Sequence, residues 1–332
     1  MKRIVISFAI VGCIVLIGSG IWVFLQKQTV LGVVSPLSEE AFKDTEQYRF
    51  VFDQKTTTES FPPNDYFPLS LSPELPEAPD INAQAYGVMD RSTRKLLVGK
   101  NITEELPIAS VTKIMTAVVA LENADLDKEI TVSSSAADIG EAEMGLTAGE
   151  RVSVEQLLYG LMLPSGNDAA ETLAEGVSTS RTSFIIAMNE TGKRLGLYDT
   201  YYFNPSGLDG KSVETTSFST VLDLFALTNY ALNNPTFSKI VSTYYHEFPY
   251  EEGKHKAFYL YNILQLDKTY PGIKGVKPGN TDFAKETLVS YAENGGRELI
   301  LVLLGTQNSR DEAIKLYDYI FRSLGVAVPG RT

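Results

Sequence analysis

The segment from Ser110 to Glu122 most constrains the fold, because it is a run of good helix formers that is apolar on nearly every side. A helix of this kind is stable only when other elements surround it. The segment therefore predicts a central, buried helix inside a domain with a sizeable core. It nevertheless carries Lys113 one helical turn after Ser110, and a buried ammonium is costly unless it is paired or loses its proton.

The elements around this helix change in character along the chain. The stretch AQAYGVMDRSTRKLLVGK, residues 83–100, alternates apolar and polar residues about a polar turn, which predicts a hairpin. Helical patterns follow at 154–163, 168–175, 181–195 and 218–230. Strand patterns return at 275–277, 287–292 and 298–304, before a closing helix at 310–323. We therefore expect an α/β fold with an antiparallel sheet built from both ends of the domain, flanked by helices, with a mostly helical insert.

The first 25 residues predict a membrane segment. Ile4 to Leu25 is a run of 22 residues without a charge, which as a helix would be about 33 Å long and could cross a bilayer. The basic start at Lys2 and Arg3 predicts that the N-terminus stays inside and the rest is exported. We expect a single-pass anchor at residues 1–25, with the folded domain on the extracytoplasmic side. Cleavage near Gly18, which would secrete the protein, is the alternative.

Residues 26–80 differ in composition from the rest of the chain. The part from Phe61 to Asp80 contains six prolines and cannot be a helix interior or a central strand. We expect an extended, semi-rigid linker over 26–80, and one folded domain over 81–328.

Composition excludes several classes of function. The net charge is −12, and no cluster of Lys and Arg occurs beyond the N-terminus, so a nucleic-acid partner is not expected. The single cysteine, Cys13, cannot form a disulfide within the chain. Neither His246 nor His255 has the flanking pattern of a catalytic loop or of a zinc helix. The sequence therefore indicates no metal and no cofactor.

Ser110 and Lys113 are the candidate reactive pair. Three residues apart on a helix, their side chains share one face. Pro107 marks the helix start, where the helix dipole disfavours an ammonium, and burial also lowers the pKa of a lysine. A neutral lysine can take the proton of a neighbouring serine and make it a nucleophile. A second S-x-x-K, Ser92 to Lys95, lies in the predicted hairpin turn, and we interpret it as chance.

Two later motifs complete a set. LMLPSGNDAAETLAE places Ser165 and Asn167 in a loop between two predicted helices. GIKGVKPGNT places Lys277 and Gly279 at the end of a short strand, followed by Asn280. Each motif alone could be a helix cap or a turn. Their order after Ser110 matches the serine, S-D-N and K-T-G signature of penicillin-binding proteins and class A β-lactamases.

More narrowly, the chain resembles the D-alanyl-D-alanine carboxypeptidases, the low-molecular-weight penicillin-binding proteins of serine peptidase family S11. The resemblance rests on PIASVTKIMTA, MLPSGNDAA, FNPSGLDG and YPGIKGVKPGNT, and it spans about residues 83–321. It implies the penicillin-binding protein and β-lactamase-like fold. It also implies removal of the terminal D-alanine from peptidoglycan stem peptides, and covalent trapping by β-lactams.

The resemblance also implies residue roles. Ser110 would attack the carbonyl between the two D-alanines, Lys113 would be its general base, and Ser165 would relay the proton to the departing D-alanine. Asn167 would hold the substrate amide.

The third motif would bind the other end of the substrate. Lys277 would face the terminal carboxylate, and Gly279 would let the strand approach the substrate backbone. The backbone N–H groups of Ser110 and Asn280 would stabilise the oxyanion.

Two departures from the family separate this chain from its relatives. Pro278 replaces the threonine of lysine-threonine-glycine, which removes a hydroxyl and a backbone N–H. Losing one such contact to a charged group would cost about 1.5–3 kcal/mol, and Thr281 could supply a substitute hydroxyl. The β-rich domain and amphipathic anchor found after the catalytic domain in many relatives do not follow here, so we expect anchoring through the N-terminal helix.

Two other functions fit the same motifs. A β-lactamase of this fold would need a carboxylate to activate the deacylating water, and Asp168, Glu171 and Glu175 follow the second motif. A catalytically weak, membrane-tethered binder of cell-wall peptides is favoured only by Pro278.

Overall fold

The computed structural model describes residues 65–71, 78–264 and 270–330. The predicted anchor at 1–25 and most of the predicted linker lie outside these residues. Within them, no helix is both long enough and apolar enough to cross a bilayer.

Strands lie near both ends of the described chain and helices dominate its middle. The strands are β1 (Ser70–Leu71), β2 (Ala85–Asp90), β3 (Lys95–Lys100), β4 (Leu106–Pro107), β5 (Glu129–Thr131), β6 (Arg151–Ser153), β7 (Phe218–Ser219), β8 (Tyr245–Phe248), β9 (Phe258–Tyr261), β10 (Ile273–Thr281), β11 (Lys285–Asn294) and β12 (Arg297–Thr306). The helices are α1 (Lys113–Asn123), α2 (Ser134–Ala137), α3 (Val154–Met162), α4 (Asn167–Val177), α5 (Arg181–Arg194), α6 (Val221–Leu232), α7 (Pro235–Val241) and α8 (Ser309–Ser323). Short 3-10 turns occupy Ala109–Thr112 and Val213–Thr215.

The main sheet joins the two ends of the domain, as the sequence predicts. Its strand order is β1-β3-β2-β12-β11-β10, and the pairing of Val88 with Leu301 is where the N-terminal hairpin meets the C-terminal strands. Four of its five strand pairs are antiparallel. The fifth is a difference from the predicted antiparallel sheet, because β1 runs parallel to β3 with Ser70 opposite Lys95.

Strand β1 belongs to the predicted linker, and the described part of that linker contacts the domain. Phe67 is buried in the core that also contains Met89 and Leu96. The N–H of Leu69 donates to the carbonyl of Arg94 at 2.7 Å. Burial of one large aromatic side chain holds these residues against the sheet, and the nearby prolines are compatible with an edge strand.

Both faces of the sheet are covered. Along β12, Leu299, Leu301 and Leu303 pack with α8, whereas Ile300 and Val302 face the core built with the helical insert. Side chains alternate between faces along a strand. The continuous apolar run ELILVLLG therefore follows from burial on both sides.

Helix α1 is central, as predicted. Its residues Ile114, Met115 and Val119 are fully buried in the larger core. The predicted helix at 218–230 is wrong at its start. Residues 218–219 form β7 opposite β4, and α6 begins after Thr220, whose Oγ1 accepts from the N–H of Asp223 at 3.1 Å.

Candidate active site

Ser110 and Lys113 meet where a 3-10 turn becomes α1. Side chains at i and i+3 eclipse one another in a 3-10 helix. The Nζ of Lys113 accordingly lies 2.9 Å from the Oγ of Ser110, and the lysine is fully buried. Ala109, just before the serine, has φ +47°, a conformation that residues with a side chain rarely adopt. The backbone is therefore strained next to the candidate nucleophile.

Two further contacts fix the direction in which the lysine acts. Nζ lies 2.7 Å from Asn167 Oδ1 and 2.7 Å from the carbonyl oxygen of Ser206. Both of these oxygens can only accept hydrogen bonds. A neutral amine has two N–H donors and one lone pair, so once both carbonyls are satisfied the lone pair faces Ser110. The geometry is that of a base acting on the serine hydroxyl.

The surroundings favour the neutral amine. Burial lowers the pKa of Lys113 from its ordinary value of 10.5 to about 7, against the opposing effect of Asp168, Glu141 and Glu171. A base whose pKa lies near the working pH is best suited to proton transfer. The carboxylates thus keep the lysine basic, while burial keeps it from being permanently charged.

The second motif supplies one of these contacts. Asn167 is the first residue of α4, and its Nδ2 donates to the carbonyl of Gly140 at 3.0 Å, which orients Oδ1 toward Lys113. Ser165 lies two residues earlier with φ +68° and only 3% exposure, and it lines the same cleft as Ser110. The structure therefore brings the predicted residues of the first two motifs together.

The third motif lies on β10, the edge strand of the sheet. A Cβ at Gly279 would lie 2.8 Å from the backbone N of Ser110 and 2.7 Å from Thr287 Oγ1. No side chain fits there, so glycine allows β10 to approach the strained turn. Proline in a sheet occurs on edge strands, with its nitrogen directed outward. Because backbone groups alternate in direction along an antiparallel strand, Asn280 presents its N–H on the same side as the Pro278 nitrogen, away from β11.

The position of Lys277 differs from the simplest expectation, which is a side chain that faces the substrate carboxylate from the cleft wall. It is fully buried, its Nζ donates to the carbonyl of Pro278 at 2.9 Å, and it is not among the residues that line the cleft. Burial lowers the pKa of Lys277 well below its ordinary value, and the neighbouring Lys113 acts in the same direction. Direct contact of Lys277 with a substrate carboxylate stays a prediction.

These elements enclose a cleft of about 290 Å³. It is lined by Ser110, Glu141, Ala142, Ser165, Asn167, Gly207, Leu208, Ile263, Pro278, Gly279, Asn280, Thr281, Glu286 and Ser309. Among the described residues, neither histidine lines it. His246 stacks on Tyr159, and His255 bonds to Gln156 and to the carbonyl of Lys256. Within the described part of the chain, no group of three or more His, Cys, Asp or Glu residues could hold a metal ion.

Sequence reasoning missed the role of Ser206. Its carbonyl is presented to Lys113 by a tight turn in which Asn204 Oδ1 accepts from the N–H of Gly207 at 2.6 Å. Gly207 has φ +83°, and a Cβ there would lie 1.9 Å from the carbonyl of Ala109. The signal was present in FNPSGLDG, whose Asn, Pro and Gly are typical turn residues.

The sequence analysis named Asp168 only as a carboxylate that a β-lactamase could use, and missed its role in the structure. Its carboxylate is fully buried and accepts from the backbone N–H groups of Met144, Gly145, Leu146 and Ala169 at 2.8–2.9 Å. These bonds hold the 140–146 loop, which carries part of the cleft wall, against α4. Its negative charge also acts on Lys113. Only the tertiary structure shows that one carboxylate both holds this loop and acts on the charge of Lys113.

The chain matches a known protein family over most of its length. The family profile described as D-alanyl-D-alanine carboxypeptidase (Peptidase S11) matches residues 72–308. The D-alanyl-D-alanine carboxypeptidase DacF of Bacillus subtilis is 34% identical over 247 residues, which are 72% of this chain and 62% of that protein. The chain thus spans less than two thirds of that relative's length.

Solved structures show the same fold. A crystal structure of D-alanyl-D-alanine carboxypeptidase from Mycobacterium tuberculosis superposes with a TM-score of 0.69 at 31% identity, covering 78% of this chain and 97% of that one. The Streptomyces K15 DD-transpeptidase superposes with a TM-score of 0.67 at 31% identity, covering 74% of this chain and 100% of that one. The predicted penicillin-binding protein and β-lactamase-like fold is confirmed.

Proposed function

The chain belongs to the D-alanyl-D-alanine carboxypeptidase family, peptidase S11, and on that premise we propose that it removes the terminal D-alanine from peptidoglycan stem peptides through an acyl-enzyme at Ser110. The observation that carries the proposal is the alignment of Lys113, whose two carbonyl partners leave its lone pair facing the Ser110 hydroxyl.

The reaction follows from that alignment. Ser110 Oγ attacks the carbonyl carbon between the two D-alanines while its proton passes to Lys113 Nζ. The C–N bond breaks, and the departing D-alanine receives a proton relayed through Ser165. Water then attacks the ester, which releases the shortened peptide and restores the serine hydroxyl. The N–H groups of Ser110 and Asn280 stabilise the oxyanion in both steps.

Substrate binding uses the edge of the sheet and the second motif. Asn167 holds the substrate amide, Gly279 lets the substrate backbone lie along β10, and the terminal carboxylate of the substrate faces Lys277. A β-lactam resembles the D-Ala-D-Ala end, so it acylates Ser110 in the same way and serves as a covalent inhibitor.

A β-lactamase is the weaker alternative. The Asp168 carboxylate is saturated by four backbone donors, and Glu171 forms a paired contact with Arg181 at 2.5 and 3.0 Å. Glu175 accepts from Ser135 at 3.2 Å. The three carboxylates that follow the second motif are thus engaged in holding the structure. Sustained turnover of nitrocefin would favour a lactamase, whereas a single burst favours the peptidase.

The sequence supports a proposal about location as well. We propose that residues 1–25 anchor the protein as a single membrane span, with the catalytic domain on the extracytoplasmic side. The support is the 22-residue uncharged run after a basic start. In intact protoplasts, external protease should degrade the domain. Full protection would contradict the orientation, and recovery of a shortened chain in the medium would indicate cleavage.

The deciding experiment measures release of free D-alanine from a synthetic stem pentapeptide. The wild-type protein should release it, and Ser110→Ala should not. Ser92→Ala is the matched control, because it removes the serine of the other S-x-x-K and should keep full activity. Mass spectrometry after penicillin exposure should locate the adduct on Ser110. Equal, negligible release by wild type and Ser110→Ala would favour a weak cell-wall peptide binder instead.

A further inference from the structure

The outward face of the β8–β9 hairpin carries aromatic side chains that the catalytic residues do not use. Along β9 and just beyond it, Tyr259, Tyr261 and Ile263 are 65%, 56% and 49% exposed. The alternate residues Phe258 and Leu260 are buried. An exposed period-two row of large apolar side chains is unusual on a soluble surface and marks a contact site.

Three of the tyrosines are in ring contact, and Tyr259 lies opposite Glu247 on the paired strand. The rings of Tyr245 and Tyr261 have centroids 4.7 Å apart, and those of Tyr244 and Tyr261 are 6.3 Å apart. We call Tyr244, Tyr245, Tyr259 and Tyr261 the tyrosine face. Tyr245 donates its hydroxyl to Glu247 Oε2 at 2.7 Å, so a carboxylate lies among the rings. The surface combines flat apolar rings with hydrogen-bonding groups at their edges.

This surface is continuous with the catalytic cleft. Ile263 lines the cleft, and its N–H donates to the carbonyl of Leu163 at 3.0 Å, two residues before Ser165. Strand β9 ends at Tyr261, two residues before Ile263, so Tyr261 and Tyr259 lie at most about 7 Å and 14 Å from Ile263 along the chain. The tyrosine face therefore begins at the mouth of the cleft and leads away from it.

We propose that the tyrosine face binds the glycan strand that carries the stem peptide, an inference that rests on the proposed function. An extended five-residue peptide spans at most about 17 Å, so a stem held at Ser110 places its sugar just outside the cleft. Sugar rings present flat C–H surfaces that pack on aromatic rings. Their hydroxyl and acetamido groups find partners in tyrosine hydroxyls and in Glu247.

Charge argues against a lipid surface as the occupant. Binding to anionic membranes uses unpaired Lys and Arg, whereas this hairpin carries Glu247, Glu251 and Glu252. Its lysines are already engaged: Lys254 pairs with Glu129 and Glu251, and Lys256 with Glu150. An uncharged, hydroxyl-rich polymer therefore suits a hairpin with acidic residues and paired lysines better than a phospholipid headgroup does.

The test compares two soluble substrates, a free stem pentapeptide and the same pentapeptide attached to its disaccharide. In the full-length protein, kcat/KM for D-alanine release should be about tenfold higher with the disaccharide, from packing on two rings. Tyr259→Ala combined with Tyr261→Ala should remove that preference and leave kcat/KM for the free peptide unchanged. Tyr198→Ala, an exposed tyrosine outside the cleft lining and the hairpin, should keep it. Equal and measurable rates of D-alanine release from the two substrates by the wild-type protein would overturn the proposal.

A second readout does not need turnover. In Ser110→Ala, saturating disaccharide-pentapeptide should protect Tyr259 and Tyr261 from nitration by tetranitromethane, with Tyr198 unprotected. Protection by phosphatidylcholine vesicles but not by the disaccharide-peptide would assign the face to a membrane and overturn the proposal. Absence of D-alanine release from both substrates, with protection intact, would contradict the proposed function while supporting the glycan contact.

Discussion

Lys113 Nζ lies 2.9 Å from Ser110 Oγ, and its other two partners are carbonyl oxygens. An amine so placed can satisfy both carbonyls and still accept the serine proton only when it is uncharged. The buried lysine in an apolar helix, which is a liability for stability, is thus the group that makes the serine reactive.

Acylation should depend on pH with one rising limb near neutrality. Since burial brings the pKa of Lys113 down to about 7, the fraction of neutral amine, and with it the rate of labelling by a fluorescent penicillin, should increase as pH rises through that value. Lys113→Ala should lose at least about a hundredfold in rate at every pH. Normal labelling of that variant would remove the lysine from the mechanism.

Gly279→Ala should impair acylation more than folding. The added methyl group meets the backbone N of Ser110 at 2.8 Å, so the turn that carries the nucleophile or the strand must move. We expect a loss of about tenfold or more in the acylation rate, since a shift of about 1 Å can cost a hundredfold. Gly192→Ala is the control, because its nearest neighbour is 4.0 Å away. Within α5 it should raise the melting temperature and leave the rate unchanged. Unaltered acylation in Gly279→Ala would show that the close approach is dispensable.

Pro278→Thr should raise activity on peptides that end in a free carboxylate. The threonine restores a hydroxyl and a backbone N–H at the cleft edge of β10, and one hydrogen bond to a charged group is worth about 1.5–3 kcal/mol. We expect kcat/KM for D-alanine release to rise about tenfold. Thr281→Val tests whether the Thr281 hydroxyl takes the place of the hydroxyl that is missing at position 278. In the structure the hydroxyl oxygen of Thr281 accepts from the N–H of Ala284 at 3.2 Å. A fall in activity of Pro278→Thr would show that the proline is adapted to another substrate.

Asp168→Asn should change both stability and pH dependence. The amide cannot accept from four backbone donors, so the free energy of unfolding should fall by about 1.5–3 kcal/mol. Removing the charge also removes the largest contribution that raises the pKa of Lys113, so the rising limb of acylation should move to lower pH. Glu190→Gln, an exposed carboxylate paired with Lys193, should leave both quantities unchanged. An unmoved limb in Asp168→Asn would limit the aspartate to holding the loop.

Much of the fold could be predicted because its determinants are local. Apolar alternation identified the hairpin at 83–100, and strand-like patterns at 275–277, 287–292 and 298–304 located parts of the three C-terminal strands, of which β10 extends further in both directions. The start of α6 was placed too early because Phe218, Val221 and Leu222 fit the apolar spacing of a helix. The pairing of β7 with β4, more than a hundred positions earlier, decides otherwise. Strand β1 was missed for a similar reason, since only a partner strand makes two residues beside prolines a strand.

In the candidate site, too, one part could be predicted from the sequence and another part depends on tertiary structure. The sequence by itself determined that Ser110 and Lys113 meet, because residues three apart on a helical turn are neighbours whatever surrounds them. Tertiary structure alone decided which way the lysine points, since Asn167 and Ser206 lie 54 and 93 positions away and reach it only through packing of α4 and the 204–208 turn around α1. Likewise the alternation of Tyr259, Tyr261 and Ile263 is visible in the sequence. Its approach to the cleft depends on the way the hairpin packs on α3, which no local pattern encodes.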